Sequence, residues 1–401
     1  KLPKTFSKAN RFLFLLPVVP TILNQSTSLF QIKPPFILTF GNHRFTLFFD
    51  RADLRDRTVR ETGIAGRPEF DLRLLPWGVF DPRSQLGLPR RLRAERVDLF
   101  HSPNFMIPLL AFPRHQPGPV RAVVTMHDLI PLQHPDQTPH ARKTRFFPLY
   151  RALMHEIARR TDALITVSEA SRADCLARFR LTPDQVHVVP NGVSSEFRPP
   201  PEGPAPRPRA AGADATRRIL FVGRADPYKN LGGLLQAVAR LRTSLPFPVR
   251  LVIAGPRDDR YPEAPDLARR LGLEPDVEWT GYLSDTDLLR RYQEADLLCL
   301  PSRCEGFGLP VVEAMACGTP VVISTAAALR EVAGDAALAA DPDDWDGLAD
   351  RMRQILTQPE TAARLAQAGL RRAAAFTWER AAAQTLAVYE KTAARSGKDS
   401  P

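Results

Sequence analysis

Pro301-Ser-Arg-Cys-Glu-Gly-Phe-Gly-Leu-Pro-Val-Val-Glu313 follows the apolar run Leu297–Leu300 and opens a helical pattern. Pro310 suits the first turn of a helix, and the glycines before it let backbone N–H groups approach an anion. Glu305 then falls in the loop and Glu313 inside the helix, on the order of 10 Å apart. A second stretch, Ile219-Leu-Phe-Val-Gly-Arg-Ala-Asp-Pro-Tyr-Lys-Asn230, has the same form, with Arg224 and Lys229 two and seven residues beyond its run. Both put charge at the end of a strand-like segment, where open α/β sheets bind ligands. Two cations, a glycine turn and two carboxylates suit a sugar attached to a diphosphate. Arg offers a bidentate fork and Lys a point charge. Read singly, Arg224 and Lys229 are also consistent with two surface cations beside a helix start, and Glu313 with a favourable acidic residue in a first helical turn.

Short apolar runs alternate with helical stretches from about residue 45 onward. Strands are expected at Phe45–Phe49, Arg96–Phe100, Ala122–Met126, Ala163–Val167 and Val186–Val189. After a break they are expected at Ile219–Val222, Arg250–Ala254, Val277–Thr280, Leu297–Leu300, Pro320–Ile323 and Ala336–Ala339. Nearly all are rich in Val, Ile and Leu without alternation, as strands covered on both faces should be. Leu231, Leu234, Leu235, Val238 and Leu241 mark one intervening helix face; Leu288, Leu289, Tyr292 and Ala295 mark another. Strand and helix alternating this often predict a doubly wound α/β architecture. The break is Pro199-Pro-Pro-Glu-Gly-Pro-Ala-Pro-Arg-Pro-Arg209, which can continue neither a helix nor a central strand. It reads as a semi-rigid linker between two domains, or as a long surface loop within one. Helices are expected near Trp345–Leu356, Thr361–Ala374 and Trp378–Lys391, the last with Thr377 as N-cap.

The chain has 401 residues, ordinary hydrophobic (44%) and charged (25%) content, and a net charge of +11 from 55 basic and 44 acidic residues. This suits a globular enzyme with two or more domains and an anionic partner. The basic residues are scattered, so no nucleic-acid partner is expected. The cysteines Cys175, Cys299, Cys304 and Cys317 form no C-x-x-C pair, which argues against zinc and fits a reducing cytoplasm. No stretch reaches the ~18 apolar residues of a spanning helix. Phe12–Ile22 resembles a short signal core, but Pro17 and Pro20 interrupt it and no small-residue cleavage site follows. A buried strand or a segment foreign to the fold is the other reading. The basic and apolar mixture Arg142–Met154 reads as an ordinary packed helix or as a peripheral membrane contact.

His127-Asp128 ends the run Ala122–Met126, at a strand tip where an imidazole could meet a sugar hydroxyl; a satisfied structural His is the plainer reading. Asp128 would orient that His or cap the next segment. Ser168 reads as an N-cap and Asn191-Gly192 as a turn. Gly306-Phe-Gly308 is not a dinucleotide fingerprint, because the third glycine is missing. A nicotinamide oxidoreductase is disfavoured on the same ground.

With these residues in place, the chain resembles the retaining glycosyltransferases of family 4, also called group 1, which have the GT-B fold. The resemblance rests on Val123-Val-Thr-Met-His-Asp-Leu-Ile-Pro131, Ile165-Thr-Val-Ser-Glu-Ala-Ser-Arg172, Val188-Val-Pro-Asn-Gly-Val193 and Phe221-Val-Gly-Arg224 with Lys229-Asn230. Leu251-Val-Ile-Ala-Gly-Pro256 and the Glu305–Glu313 string complete it, and it spans about residues 95–392. It implies two doubly wound Rossmann-like domains facing each other across a cleft. Residues 45–198 would form the acceptor-side domain, 199–214 the linker and 215–376 the nucleotide-sugar domain. Residues 377–394 would be a helix returning to the first domain, and residues 1–44 a divergent or non-native segment.

The resemblance further implies roles. Arg224 and Lys229 would hold the donor diphosphate in place of a metal, Glu305 the donor sugar, and Glu313 the ribose. Gly308 and Leu309 would offer backbone amides, with Gly223, Gly306 and Phe307 beside them in the donor site. His127 would touch the transferred sugar from the opposite domain. The expected activity is transfer of a hexose in the cytoplasm or at the inner face of the membrane, with mannose favoured by the His127-Asp-Leu-Ile-Pro131 context. The donor would be GDP- or UDP-linked, a substrate and not a cofactor, and the acceptor a glycan or glycolipid. The sequence departs from the family in one respect: residues 1–44 hold only Gly41, and no Gly-Gly or Gly-x-Gly for the usual glycine-rich first loop. The alternative expectation is therefore a degenerate homologue that binds nucleotide without turnover.

Overall fold

The computed structural model describes residues 11–16, 43–78, 81–114, 118–140, 142–201, 216–256 and 261–394. Two parallel sheets organise them. The first contains β1 (Arg11–Leu16), β2 (Arg44–Phe49), β3 (Phe70–Leu74), β4 (Leu99–Ser102), β5 (Arg121–Met126), β6 (Ala163–Thr166) and β7 (Val186–Val188). Their order across the sheet is β3-β2-β1-β4-β5-β6-β7. The second contains β8 (Arg217–Val222), β9 (Val249–Ala254), β10 (Val277–Gly281), β11 (Leu297–Leu300), β12 (Val321–Ser324) and β13 (Ala337–Ala340), in the order β10-β9-β8-β11-β12-β13. Every residue of β5, β6, β11 and β12 is buried, which is why those segments read as unbroken apolar runs.

In each sheet the strand order reverses once, at β1/β4 and at β8/β11. These are topological switch points, and the crevice beyond the carboxyl ends of the strands there is where doubly wound sheets take ligands. Leu297 and Leu298 of β11 pair with Ile219 and Leu220 of β8, so the loops beginning at Gly223 and Pro301 leave the sheet side by side.

Arg11–Leu16 forms a strand paired on one side with β2 and on the other with β4, inside the first sheet, which agrees with the strand reading of this run and not with the signal-like or foreign-segment readings. The rest of the signal-like run, Gly41 and most of the Pro-rich stretch lie outside the described residues. Two features differ from the sequence expectation. The strand expected at Arg96–Phe100 begins only at Leu99, because Arg96 takes a left-handed backbone (φ 50°) that no strand accommodates. Arg142–Met154 is not one helix: Arg142–Arg145 and Phe147–Ala158 are separate, with Phe146 between them outside helical geometry.

Among the described residues the chain passes between the domains near Val193 and again near Thr377, and these two passages touch. Val193 bridges Thr377, and its N–H donates to the Phe376 carbonyl at 3.0 Å. Gly192 is required there, since a Cβ would stand 2.3 Å from the Trp378 nitrogen. Thr377 caps the last helix, Trp378–Ala394, through the Arg380 N–H. Ala381, Val388 and Tyr389 of that helix pack with Phe45, Phe49, Leu99, Val123 and Ile165 of the first sheet. The Tyr389 hydroxyl lies 2.6 Å from His101 Nδ1, and His101 Nε2 lies 2.9 Å from Thr125 Oγ1. Burial, with His127 nearby, pushes His101 down to about 3, so this imidazole stays neutral inside the core.

Among the described residues no helix is long and apolar enough to cross a membrane.

Candidate active site

The site forms where the loops after β8 and β11 meet the tip of β5 from the other domain. After β8 the chain turns through Pro227–Lys229 into Asn230, whose left-handed backbone (φ 56°) starts the helix Leu231–Thr243. Asn230 is buried, and its side-chain amide donates to the carbonyls of Pro301 (3.2 Å) and Pro342 (2.7 Å). The Arg303 N–H donates to the Tyr228 carbonyl at 2.7 Å. These bonds join the two ligand-facing loops into one unit, so Lys229 and Glu305 have a fixed relation.

That relation is an ion pair. Lys229 Nζ stands 2.6 Å from Glu305 Oε1, and the Ser302 hydroxyl donates to the same oxygen at 2.7 Å. Ser302 is held in turn, because its carbonyl accepts from the Ser324 hydroxyl. The side chains of Lys229 and Glu305 are only 15% and 8% exposed, so neither charge is well solvated without the other. Arg224 engages Asp226 in a bidentate pair, Nε to Oδ2 at 2.6 Å, with the Asp226 side chain 4% exposed. The Tyr228 hydroxyl lies within the field of this whole group. Burial first, then Glu305, Asp226 and Asp128, push its pKa well up, and Arg224 opposes them.

Gly308 is the N-cap of the helix Leu309–Ala316, with a left-handed backbone (φ 98°), and a Cβ there would meet Leu329 at 2.5 Å. Pro310 carries no N–H and the Val311 N–H donates back to the Gly308 carbonyl at 2.9 Å, so the Leu309 amide is the first-turn donor nearest the loop for an anion. Gly306 permits a second close approach: a Cβ on it would sit 2.1 Å from the His127 carbonyl oxygen. The loop of one domain thus rests directly on the strand tip of the other.

His127 is partly buried, and its Nε2 lies 3.1 Å from the Pro103 carbonyl. A carbonyl only accepts, so Nε2 carries the proton and Nδ1 is the acceptor. Burial lowers the His127 pKa, against the raising effects of Pro103 and Asp128. Asp128 accepts from the Ile130 N–H at 3.0 Å; it caps the following turn and does not hold the His127 tautomer.

Glu313 is deep in the second domain at 5% exposure, accepting from the Tyr292 hydroxyl at 2.7 Å. Burial pushes its carboxyl up to about 7, against the lowering effect of that hydroxyl, with Asp285 adding to the rise. The side chains of two expected donor residues pack into the core. Phe307 packs edge-on against Phe376 in the core, ring centroids 5.6 Å apart, and its contribution to the loop is its backbone. Leu309 likewise packs on the core of the second domain. Gly223 donates its N–H to the Ala254 carbonyl at 2.9 Å and brings the loop out close to the sheet. Among the described residues no three His, Cys, Asp or Glu side chains gather as a metal site would require.

The sequence reading missed the contacts that join the domains around Ser168, Ser171 and Glu331. Ser168 is the N-cap of the helix Glu169–Arg178, as its position implied. Its second bond, to a carbonyl of the other domain, has no local signal in the sequence.

Residues 41–197 match the family described as Glycosyltransferase Family 4, and residues 207–372 match Glycosyl transferases group 1. An O-antigen chain mannosyltransferase B from Escherichia coli is 33% identical over 308 residues, 75% of this chain and 77% of that protein. An MMP alpha-(1->4)-mannosyltransferase from Mycolicibacterium hassiacum is 39% identical over 252 residues, and the match takes in 61% of this chain and 57% of that protein's length. The crystal structure of Anabaena Alr3699/HepE in complex with UDP and glucose superposes with a TM-score of 0.68 at 20% identity, covering 95% of this chain and 99% of that one. With both domains matched in order and the two sheets meeting across one cleft, the chain belongs to the group 1, family 4 glycosyltransferases and has their GT-B fold.

Proposed function

We propose that the chain transfers a hexose, with mannose favoured, from a GDP- or UDP-linked donor to a glycan or glycolipid acceptor, with retention and without a metal. The observation that carries this reading is the meeting of Lys229 and Glu305 beside Gly308 and opposite His127, at the β8/β11 switch point. The two relatives named as mannosyltransferases, and the UDP and glucose bound to Alr3699/HepE, support the donor class.

In this reading residues 215–376 hold the donor and residues 45–198 the acceptor. The diphosphate lies between Arg224, Lys229 and the backbone amides of Gly308 and Leu309. These neutralise the charge that grows on the leaving phosphate as the C1–O bond breaks. Glu305 accepts from sugar hydroxyls, His127 Nδ1 accepts from another across the cleft, and Glu313 binds the ribose. The acceptor oxygen forms its bond to C1 on the face that the phosphate leaves, and its proton passes to the departing phosphate oxygen. No side-chain nucleophile is needed. Closure of the cleft excludes water, which would otherwise take the acceptor's place. The work would take place in the cytoplasm, at the inner membrane face when the acceptor is a lipid.

The binding-only alternative has less support, since the relatives are named for transfer. A panel of GDP- and UDP-sugars, assayed for release of nucleoside diphosphate with and without mannosyl acceptors, tests the proposal. Release from a GDP- or UDP-hexose that depends on Lys229 is the expected result. Tight nucleotide binding with no release from any donor would overturn it.

A further inference from the structure

The helix Glu169–Arg178 of the first domain begins with backbone N–H groups that helix geometry leaves without partners. Three of them are satisfied, two from the other side of the cleft. Glu331, in the helix Ala327–Ala333 of the second domain, accepts from the Glu169 N–H at 2.8 Å through Oε1 and from the Ala170 N–H at 3.0 Å through Oε2. The third, Ser171 N–H, donates to Ser168 Oγ at 3.0 Å. The hydroxyls at this helix end also reach across. Ser168 Oγ donates to the Gly306 carbonyl at 2.7 Å, and Ser171 Oγ lies 3.2 Å from that carbonyl and 3.4 Å from the His127 carbonyl. Ser168 is fully buried and Ser171 nearly so. Arg372 fixes the helix that bears Glu331 by donating to the carbonyls of Glu331 (2.7 Å) and Val332 (2.8 Å).

One helix terminus therefore grips the second domain at two points. On its outer side it receives a carboxylate, a charge-assisted contact that the helix dipole favours. On its inner side it holds the carbonyl of Gly306, next to Glu305. Neither contact survives separation of the domains. We propose that Glu331 and Ser168 are positioning residues: they lock the closed cleft and press the Glu305–Gly308 loop against the tip of β5, so that Glu305 and His127 address one sugar. Neither touches the donor. The proposal rests on the transferase reading above for its kinetic consequence alone.

The test uses the full chain with Glu331→Ala, Glu331→Gln, Ser168→Ala and Ser168→Thr. Three quantities are read: nucleoside diphosphate affinity, turnover in the transfer assay, and amide hydrogen exchange across residues 167–175 with nucleotide bound. Affinity for the nucleoside diphosphate should stay within about twofold of wild type, because its contacts lie in one domain. Turnover should fall at least about tenfold in both Ala variants, as misplacement of reacting groups by fractions of an ångström commonly does. Ser168→Thr, which keeps the hydroxyl, should recover most of it. Exchange at residues 169 and 170 should quicken in Glu331→Ala, and less in Glu331→Gln, which keeps one acceptor oxygen. Unchanged turnover in both Ala variants, unchanged exchange in Glu331→Ala, or a parallel loss of nucleotide affinity would each overturn the proposal. Should wild type transfer no sugar, the function proposed above fails, and hydrogen exchange in the nucleotide complex still decides the clasp.

Discussion

Lys229 Nζ and Glu305 Oε1, 76 residues apart in sequence, stand 2.6 Å from each other in the crevice of the second domain. The pair holds two opposed needs in balance. Under the proposed function a diphosphate would take the cation and sugar hydroxyls the carboxylate; in this structure each neutralises the other in a poorly solvated place. Lys229→Ala should therefore cut transfer by about a thousandfold or more. It should also lower stability by about 3 kcal/mol, because the Glu305 charge is left buried without its counter-ion. Glu305→Gln should abolish transfer at a smaller stability cost. Donor turnover and urea unfolding of the same preparations check both; full activity in Lys229→Ala would sink the assignment.

Gly306→Ala separates binding from turnover. The added methyl cannot fit beside the His127 carbonyl with the domains closed, since it would lie 2.1 Å from that oxygen. Nucleotide affinity should change little while turnover drops about a hundredfold, a loss typical of ångström-scale misplacement. Calorimetry set beside the transfer assay measures the split.

Glu313 makes stability depend on pH. Its carboxyl is raised from an ordinary 4.5 to about 7, so the folded chain keeps a proton that the unfolded chain loses. Stability from this group is present below the unfolded value and is lost as pH rises through about 7, to a total on the order of 3 kcal/mol. His101 acts with the opposite sign, since its depressed value costs stability as pH falls below about 6.5. The two overlap, so the useful quantity is the difference between wild type and Glu313→Gln. The variant should gain on wild type between pH 5 and 8 by up to about 3 kcal/mol, while its nucleotide affinity falls about tenfold because one of the two acceptor oxygens becomes a donor NH2. A pH-independent difference would show that Glu313 is not the titrating group.

Tyr389→Phe removes a buried hydroxyl 2.6 Å from His101 Nδ1. It should destabilise the chain by about 1–2 kcal/mol in urea, with little change in nucleotide affinity, because the last helix docks on the first domain.

What could be read in the sequence follows from burial. Strands covered on both faces, such as Leu297–Leu300, announce themselves as apolar runs, and the doubly wound order follows from their alternation with helices. Phe70–Leu74 escaped because it is an edge strand whose residues are half-buried or exposed, with Asp71 and Arg73 interrupting it. Lys229 and Glu305 were legible as charges at strand ends, and their meeting followed from adjacent strands. Phe307 stands between the two glycines of the loop while its ring serves the core. Glu331 gave no signal at all: an acidic residue in a short helix near the surface is common, and only the placement of the other domain gives it partners.

Val193 and Thr377 run side by side where the chain passes between domains, with no room for a side chain at Gly192. A single hydrogen-bonded bridge of backbone where both connections pass would act as an axle, so that opening would be a rotation about a line near these residues and not a drift apart. Small angular changes there become large displacements at the far rim of the cleft. Substituting Gly192 should therefore disturb the rate of substrate entry and product exit without altering a single group that meets the sugar.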